Sequence, residues 1–379
     1  MAENPDTIGL MDSFKELNKT FGGFGLFVGD DEKIEPVEPI SSGSLVVDDI
    51  LGIGGYPRGR MVQFAGKESS GKTFQSIMVI KEWQKKHPKN WALFIDAEYT
   101  YDEGWFRSLG VDTSRLMIFK ESSGTKIWNF LCGTPKQNKV TKKITTVPGL
   151  LQNIIDAKKD DDENNPMKYC GVIVLDSIAQ VVPPVEEASV IGKQNMAPMA
   201  RFLSDALRRL TPLVGQANVL FISTNHIHIN IGQMYGDPET TSGGRAWKHA
   251  CSTMVNFAAQ IQKDNLIKDE ATGETVGHKV KIKVEKNKCA PPNKECEFDI
   301  KYVDGIVNRH LEIGALAIKY NVVERPNNVM YEYDDRKWKG RDNFLQALEL
   351  DEELQNNLLK TIEKIQEMNR QKIESEEDE

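Results

Sequence analysis

The sequence predicts an α/β protein with a mostly parallel, twisted central sheet. A small N-terminal helical segment precedes it, and a small C-terminal α/β domain with an acidic tail follows. Between about residue 60 and residue 305, short β-rich apolar runs alternate with longer helical stretches, the pattern of parallel strands joined by crossover helices. The clearest runs cover 61–65, 91–95, 171–175, 219–223 and 278–284. The first run leads directly into a glycine-rich loop.

The composition excludes several classes of protein. The chain has 379 residues, of which 39% are hydrophobic and 27% are charged, enough for one large domain or two to three smaller ones. No stretch approaches eighteen consecutive apolar residues, and the N-terminus lacks the basic and apolar regions of a signal peptide. We therefore expect no membrane partner and a cytoplasmic location. The five cysteines are scattered without a Cys-x-x-Cys pair, which predicts neither disulfides nor a zinc site.

The formal net charge of −8 is an average over unlike segments. Alone it would argue against nucleic acid as a partner, because phosphate binding needs cations. Five of the last six residues are acidic, however, whereas residues 279–288 contain five lysines and one acid. A second basic stretch, residues 122–155, contains five lysines and no acid. It is either a solvated surface insertion or a contact surface for a polyanion.

Residues 66–73 carry the strongest local motif. They read Gly-Lys-Glu-Ser-Ser-Gly-Lys-Thr, match G-x-x-x-x-G-K-[ST] and follow the first apolar run directly. In such a loop, backbone N–H groups point at phosphate oxygens, and the following helix presents the positive end of its dipole. Lys72 would neutralise phosphate charge, and the Thr73 hydroxyl would ligate Mg²⁺. The predicted nucleotide-binding residues are Gly66, Lys67, Glu68, Ser69, Ser70, Gly71, Lys72 and Thr73.

Two further apolar runs end in acids that suit a nucleotide site. Asp176 follows the run 171–175, where it would hold water bound to Mg²⁺, although an aspartate there could also simply begin a loop. Glu98 follows the run 91–95 and would act as general base on a water if its strand ends beside the phosphate-binding loop. On spacing alone, an exposed acid at a strand end is an equal alternative for Glu98.

Both ends of the chain predict an amphipathic helix. Residues 10–21 carry one apolar stripe and are followed by a glycine pair, which indicates a short helix that docks outside the main core. Residues 354–365 repeat the pattern near the C-terminus. The acidic tail beyond them is too charged to pack.

Four segments together resemble the RecA family of DNA strand-exchange recombinases, including its divergent phage members. The similarity extends from Ser41 to Tyr302. Its segments are 54–60 leading into 68–73, then 94–98, 236–244 and 286–288. This combination is far more specific than a phosphate-binding loop alone. The resemblance implies a RecA-like P-loop ATPase core with ATP and Mg²⁺ as cofactors.

For the nucleotide site, the resemblance implies that Glu98 is the catalytic carboxylate. Asp102 and Trp105 fall where the family contacts adenine, the aspartate through the exocyclic amine and the aromatic ring by stacking. Trp105 replaces the usual tyrosine at that position, and Tyr302 falls at another family position near the base.

For DNA, residues 186–201 resemble the family's first DNA-binding loop, and residues 226–244 resemble the second. Arg201 and Arg208 lie seven residues apart and hence on one helical face, where the resemblance implies phosphate contacts. Without the resemblance, a solvated helix face is the alternative. The implied DNA-binding residues are Met196, Arg201, Ser204, Arg208, Tyr235, Glu239, Gly243, Gly244 and Arg245.

Lys286 and Lys288 match two family lysines that reach across the protomer interface to the γ-phosphate of the neighbouring ATP. That geometry makes hydrolysis depend on self-assembly, in the manner of an arginine finger supplied in trans. The lysines at 279, 281 and 283 alternate with aliphatic residues, which predicts a half-buried strand with these lysines facing solvent.

Four features depart from the bacterial pattern. His226 stands where the bacterial proteins have a glutamine that senses the γ-phosphate, and histidine adds a pH-sensitive charge there. His249 stands where a bacterial phenylalanine couples protomers. Residues 122–149 have no counterpart, and the chain past 306 matches only loosely. Together the departures favour a divergent, phage-like member.

The predicted organisation is an N-terminal polymerisation segment (1–33), a RecA-like ATPase core with two DNA-binding loops (34–305), and a C-terminal domain with an acidic tail (306–379). A role for this last domain in capturing duplex DNA is inferred from its position and its tail.

The predicted function is an ATP-dependent DNA recombinase that forms helical filaments on single-stranded DNA and pairs it with a homologous duplex. Single-strand-binding and loader proteins are the expected partners. A ring helicase with the same core is the main alternative, and an inactive regulatory ATPase is a second. The predicted catalytic residues are Lys72, Glu98, His226, Lys286 and Lys288.

Overall fold

A computed structural model describes residues 37–137, 144–190, 198–229, 239–258, 265–269, 271–306 and 308–376. From Pro39 onward the chain forms one compact unit. Within the described ranges, no helix is long and apolar enough to cross a bilayer. The predicted helix over 10–21, Met196 and Tyr235 lie outside the described residues.

The central sheet is built from the apolar runs that the sequence singles out, so the predicted α/β class is confirmed. Strands β1 to β17 are Pro39–Ile40, Tyr56–Pro57, Met61–Gly66, Trp91–Asp96, Leu116–Lys120, Thr134–Gln137, Ile144–Val147, Cys170–Asp176, Leu220–Ile229, Glu239–Thr241, Thr253–Phe257, Leu266–Lys268, Thr275–Asn287, Glu295–Lys301, Gly305–Ile306, Met330–Tyr333 and Arg336–Lys339. Helices α1 to α11 are Leu45–Leu51, Lys72–Lys86, Glu103–Ser108, Gly124–Cys132, Leu150–Lys159, Pro184–Glu187, Pro198–Gln216, Gly244–Ala250, Arg309–Lys319, Arg341–Leu350 and Glu352–Glu376.

The main sheet has the strand order β15-β14-β13-β11-β3-β9-β8-β4-β5. The strands from β11 to β5 pair in parallel, and β13, β14 and β15 extend the sheet with antiparallel pairs. Helices α1, α2 and α9 to α11 contribute to the core on one face, whereas α4, α5 and α7 contribute to the core on the other. Because both faces are covered, β3 and β8 are buried along their whole length and read as nearly continuous apolar runs.

The parallel strands bring distant segments of the chain to one edge of the sheet. Strands β3, β9, β8 and β4 are neighbours, and in their registers Gly66 lies opposite His226 and Asp96 opposite Asp176. The strand that follows β3 in the chain, β4, lies beyond β9 and β8 in the sheet. Ligands in open α/β sheets bind at the carboxyl ends of strands, where the chain order changes direction.

Strands β13 and β14 bury one face and expose the other. Val280, Ile282 and Val284 are fully buried, which confirms the half-buried strand predicted from their alternation with lysines. Each of the alternating lysines lies opposite an acid of β14, in the pairs Lys279–Asp299, Lys281–Glu297 and Lys283–Glu295. Lys281 also forms an ion pair with its diagonal neighbour Glu295 (3.5 Å), and opposite charges across strands contribute about 0.2–1 kcal/mol per pair, so a structural role for these lysines is sufficient to explain their positions.

Strands β6 and β7 form a hairpin apart from the main sheet. Residues 134–137 and 145–147 are all exposed, so these described parts of the hairpin do not pack on the core. Its base is tied to α7, because Arg209 donates a hydrogen bond to the carbonyl of Gly133 (3.0 Å). Both interpretations of the lysine-rich stretch, a solvated insertion and a polyanion contact, require this exposure.

The C-terminal helices pack on the same core as α1 and α2. Leu354, Leu358 and Ile362 are buried in α11, which confirms the predicted amphipathic helix. Asp49 of α1 accepts hydrogen bonds from the side chains of Lys319, Tyr320 and Gln366. This buried carboxylate therefore connects α1 to the C-terminal end of α9 and to the middle of α11.

Candidate functional site

The phosphate-binding motif forms the connection between β3 and α2. Lys72 is the first residue of α2, and its ammonium donates to the carbonyls of Gly66 (2.9 Å) and Lys67 (2.6 Å). Burial lowers the pKa of Lys72, while Asp176, Glu98 and Glu68 nearby oppose that shift. The cation is thus held inside the loop, close to three carboxylates.

The loop leaves no room for side chains where the backbone must curl. A Cβ on Gly66 would lie 2.5 Å from Ser70 Oγ and 2.8 Å from the Phe257 carbonyl, and Gly71 has a φ of +98°. Ser70 Oγ is buried and has no hydrogen-bond partner among the described residues. A buried hydroxyl beside a caged ammonium fits a phosphate ligand, because such groups are otherwise almost always satisfied.

Asp176 ends β8 directly beside the loop. Thr73 Oγ1 donates to Asp176 Oδ2 (2.7 Å), and Thr224 Oγ1 of β9 donates to Asp176 Oδ1. Burial raises the pKa of Asp176, and the two hydroxyls oppose that shift. The arrangement brings together the predicted metal ligands Thr73 and Asp176, and oxygen ligands of this kind suit a hard divalent cation.

Glu98 and His226 contact each other close to Asp176, whose carbonyl accepts from the Glu98 N–H (3.3 Å). His226 Nε2 lies 3.1 Å from Glu98 Oε1, with about three-quarters of each side chain buried. The hydrogen bond with His226 is the main cause that lowers the pKa of Glu98, and the charge of Lys72 adds to it. Glu98 is therefore an ionised carboxylate with one oxygen held by His226.

A pocket of ≈ 360 Å³ continues from the loop toward β13 and β14. It contains the predicted base contacts Trp105 and Tyr302. Asp102, predicted to contact adenine, is not among the lining residues of this pocket, and one of its carboxylate oxygens caps α3 by accepting from the Trp105 N–H (2.7 Å). Sequence reasoning missed that capping role, although an aspartate immediately before the first residue of a helix is a common N-cap. The pocket lining comprises Ser69, Ser70, Gly71, Lys72, Thr73, Phe74, Thr100, Trp105, His278, Ile300 and Tyr302.

The two lysines predicted to act in trans lie at the end of β13. The ammonium of Lys286 donates to the carbonyl of Lys248 (2.6 Å), at the C-terminal end of α8. A cation there is favourable because the last carbonyls of a helix lack intrahelical partners. Lys288 is exposed, and its backbone N–H donates to the Ser252 carbonyl. Lys286 is thus held by α8, the helix that follows the second predicted DNA loop.

Helix α7 carries the predicted DNA contacts of the first loop. Arg201 and Arg208 are exposed and Ser204 is half-buried, whereas Leu203, Leu207 and Leu210 are buried on the opposite side. Arg208 has an exposed ion pair with Asp205 (3.9 Å), which contributes little in water. The helix therefore presents its arginines to solvent, as both the DNA-binding role and the solvated-face alternative require.

The second predicted DNA loop leads into α8. Glu239 begins β10, which pairs with β9, and Arg245 is exposed in the first turn of α8. Gly243 and Gly244 have φ values of +96° and +66°, and a Cβ on Gly243 would lie 2.9 Å from Trp247 Cβ. These two positions therefore require glycine for the turn itself.

Asn225 links the nucleotide site to this loop, a contact that sequence reasoning missed. Its side-chain amide donates to the Ser242 carbonyl (2.8 Å) and its oxygen accepts from the Ser242 N–H (3.2 Å). His226, the next residue, contacts Glu98. The signal available in the sequence was that Asn225 and His226 follow closely on the apolar run 219–223.

Comparison with known proteins supports the sequence resemblance. A family model described as the RecA N-terminal domain matches residues 9–132 and 167–307. The RecA protein of Ehrlichia chaffeensis is 35% identical over 332 residues, which cover 87% of this chain and 82% of that protein. The RecA protein of Mycoplasma mycoides is 33% identical over 358 residues, covering 94% and 92%. The stretch between the two matched segments, 133–166, contains the hairpin β6–β7.

Proposed function

The chain belongs to the RecA family of DNA recombinases and DNA-dependent ATPases, and on that premise we propose that it assembles as a helical filament on single-stranded DNA and pairs that strand with a homologous duplex. The observation that carries the proposal is the convergence of Lys72, Asp176, Glu98 and His226 on one side of the four neighbouring parallel strands β3, β9, β8 and β4. The comparisons give no support to the ring helicase alternative.

Family membership implies a nucleotide and a divalent metal, and we propose ATP and Mg²⁺. Lys72 and the backbone of residues 66–71 would hold the phosphates, and Thr73 with Asp176 would hold the metal ion, directly or through water. Mg²⁺ bound to ATP would neutralise charge between the β- and γ-phosphates. Trp105 and Tyr302 would hold the base at the far end of the pocket.

The proposed base for hydrolysis is Glu98. Because its pKa is lowered, the carboxylate is ionised at neutral pH and able to accept a proton from a water. His226 holds one carboxylate oxygen and so orients the other. This contact gives His226 a positioning role in addition to the phosphate-sensing role that the resemblance implies.

The proposed route from nucleotide to DNA runs along β9. His226 lies opposite Gly66 of the phosphate-binding loop, and Asn225 is hydrogen-bonded to Ser242 in the second DNA loop. A shift of His226 would therefore displace the backbone that carries Gly243 and Gly244. Arg201, Ser204 and Arg208 on α7, with Met196, Tyr235, Glu239 and Arg245, complete the proposed DNA surface.

Lys286 and Lys288 are proposed to complete the nucleotide site of a neighbouring protomer. In support, Lys286 is fixed by the carbonyl of Lys248, at the end of α8 opposite to the DNA loop. Self-assembly would then connect one protomer's DNA loop to the next protomer's nucleotide. We also propose the segment division 1–33, 34–305 and 306–379, a cytoplasmic location, and single-strand-binding and loader proteins as partners.

The test is ATP hydrolysis by the full chain with and without single-stranded DNA, combined with electron microscopy in a non-hydrolysable ATP analogue. We expect strong stimulation and helical filaments, with hydrolysis falling by about 10²–10⁴-fold in Glu98→Gln. Closed rings would favour the helicase. An equal rate of ATP hydrolysis with and without single-stranded DNA would contradict the proposal.

A further inference from the structure

Asp96 is a buried carboxylate that the proposed function does not use. It is the last residue of β4, and none of its surface is exposed to solvent. Its Oδ1 accepts from the backbone N–H of Thr100 (3.0 Å), and its Oδ2 accepts from the backbone N–H of Tyr101 (3.0 Å). Hydrogen bonds to a carboxylate are among the stronger ones in proteins. The side chain of Asp96 therefore closes a loop over residues 96–101.

This loop carries the proposed catalytic base at its centre. Glu98 lies two residues after Asp96 and two residues before Thr100. At the start of the loop, the backbone N–H groups of Ala97 and Glu98 donate to the carbonyl of Asp176 (2.8 and 3.3 Å). The backbone around Glu98 is therefore fixed on one side by Asp176 and on the other side by Asp96.

The residue between Glu98 and the Asp96 contacts has an unusual conformation. Tyr99 has a φ of +60°, which is uncommon for a residue other than glycine, and its side chain is 58% exposed. Such a conformation persists only where the surrounding structure holds it. The two hydrogen bonds to Asp96 begin at the next residue, and the ring of Tyr101 contacts Phe106 in the core (4.9 Å between centroids). These contacts supply that restraint.

We infer that Asp96 is a positioning residue for ATP hydrolysis, which holds the Glu98 carboxylate where it accepts a proton from the attacking water. The inference rests on the proposed function and adds to it a residue that is not among the lining residues of the nucleotide pocket. Misplacement of a reacting group by about 1 Å can lower a rate by about 10²-fold, so the loss of this restraint should be visible in kcat.

The first test measures kcat and KM for DNA-dependent ATP hydrolysis by Asp96→Asn, and its affinity for ADP by titration calorimetry. The amide has the shape of the carboxylate, but it offers one acceptor instead of two and places an NH₂ group against a backbone N–H. We expect kcat to fall by about 10- to 100-fold, whereas KM for ATP and Kd for ADP should change by less than about threefold.

Asp49→Asn is the matched control. Asp49 is also buried and accepts three hydrogen bonds, but its donors belong to α9, α11 and the residue after α9. The substitution should lower the midpoint of urea denaturation and change kcat by less than about twofold. A fall in kcat as large as that of Asp96→Asn would attribute both effects to lost stability and would overturn the inference.

A double-mutant cycle separates positioning from a purely structural role. In Glu98→Gln the base is already absent, so adding Asp96→Asn should lower the residual rate by less than about twofold. Losses that multiply in the double variant would show that Asp96 acts independently of Glu98, and would overturn the inference.

Tyr99→Gly tests the same loop without removing a buried group. Glycine adopts a φ of +60° without strain but has more conformations available, so kcat should fall by about two- to fivefold with unchanged ADP affinity. If Asp96→Asn does not fold, this variant decides, because an unchanged kcat would overturn the inference. A wild type that neither binds ADP nor responds to DNA would instead contradict the proposed function itself.

Discussion

Replacing Thr224 by valine should lower the free energy of unfolding by about 2 kcal/mol at neutral pH, because a buried carboxylate then lacks one donor. Thr224 Oγ1 donates to Asp176 Oδ1, and Asp176 is 2% exposed. Valine keeps the shape of threonine without the hydroxyl. An unsatisfied buried acceptor costs about 1–3 kcal/mol, and Thr73 still donates to the other oxygen, which places the loss near the middle of that range.

The loss should depend on pH. Burial raises the pKa of Asp176 in the folded state, so ionisation destabilises the fold progressively as the pH rises from the unfolded pKa through the folded pKa. The hydrogen bond from Thr224 opposes that rise, and its removal raises the pKa of Asp176 further. The difference between Thr224→Val and wild type should therefore be largest at neutral pH and smaller in acid.

Thr253→Val is the matched control. Thr253 is fully buried on β11 in the same sheet, but its hydroxyl has no hydrogen-bond partner among the described residues. This substitution should leave the protein as stable as wild type or more stable, because it removes an unsatisfied polar atom. Urea denaturation of the three proteins at neutral and acidic pH measures the effect. Equal losses for the two variants, or a pH-independent loss for Thr224→Val, would refute the reasoning.

Three other variants test separate parts of the structure. His226→Leu should move the acid limb of the pH profile of ATP hydrolysis to higher pH, because the hydrogen bond that holds the pKa of Glu98 down is lost; an unchanged limb would contradict this. Replacing residues 134–147 by a short Gly-Ser turn should change the free energy of unfolding by less than about 1 kcal/mol, since residues 134–137 and 145–147, whose burial the structure describes, are all exposed. A simultaneous fall in DNA affinity and in its salt dependence would identify the hairpin as a polyanion contact, whereas unchanged binding would identify a solvated insertion. Removing residues 374–379 should strengthen duplex binding at low salt, because five acids compete with phosphates; unchanged affinity across salt concentrations would contradict this.

Local patterns were sufficient for much of the fold. The strands β3, β4, β8 and β9 follow from short apolar runs, because strands covered on both faces need apolar residues at nearly every position. The phosphate-binding loop follows from its glycines, whose spacing reflects backbone turns that side chains would obstruct. The amphipathic helix at the C-terminus follows from its period, since one stripe is buried and the rest is solvated.

Identifying the site required both the local sequence pattern and the strand order of the folded sheet. A strand followed by an acid identified Glu98 and Asp176 as candidates, but on spacing Glu98 could equally have been an exposed carboxylate. Its neighbours are decided by strand order, which places β9 and β8 between β3 and β4. The strand order depends on packing across the whole sheet, so it cannot be predicted from any short segment of the sequence.

The amino-acid sequence alone determined the α/β class, the phosphate-binding loop and the resemblance to RecA. Each of these depends on residues that are close together in the chain or that form a characteristic motif. Only the tertiary structure decided that Thr224 satisfies Asp176, that Asn225 holds Ser242, and that His278 is left without a partner in the pocket wall. These are hydrogen bonds, made or missing, between segments far apart in the chain. Their geometry exists only after the sheet has brought those segments within about 3 Å of each other.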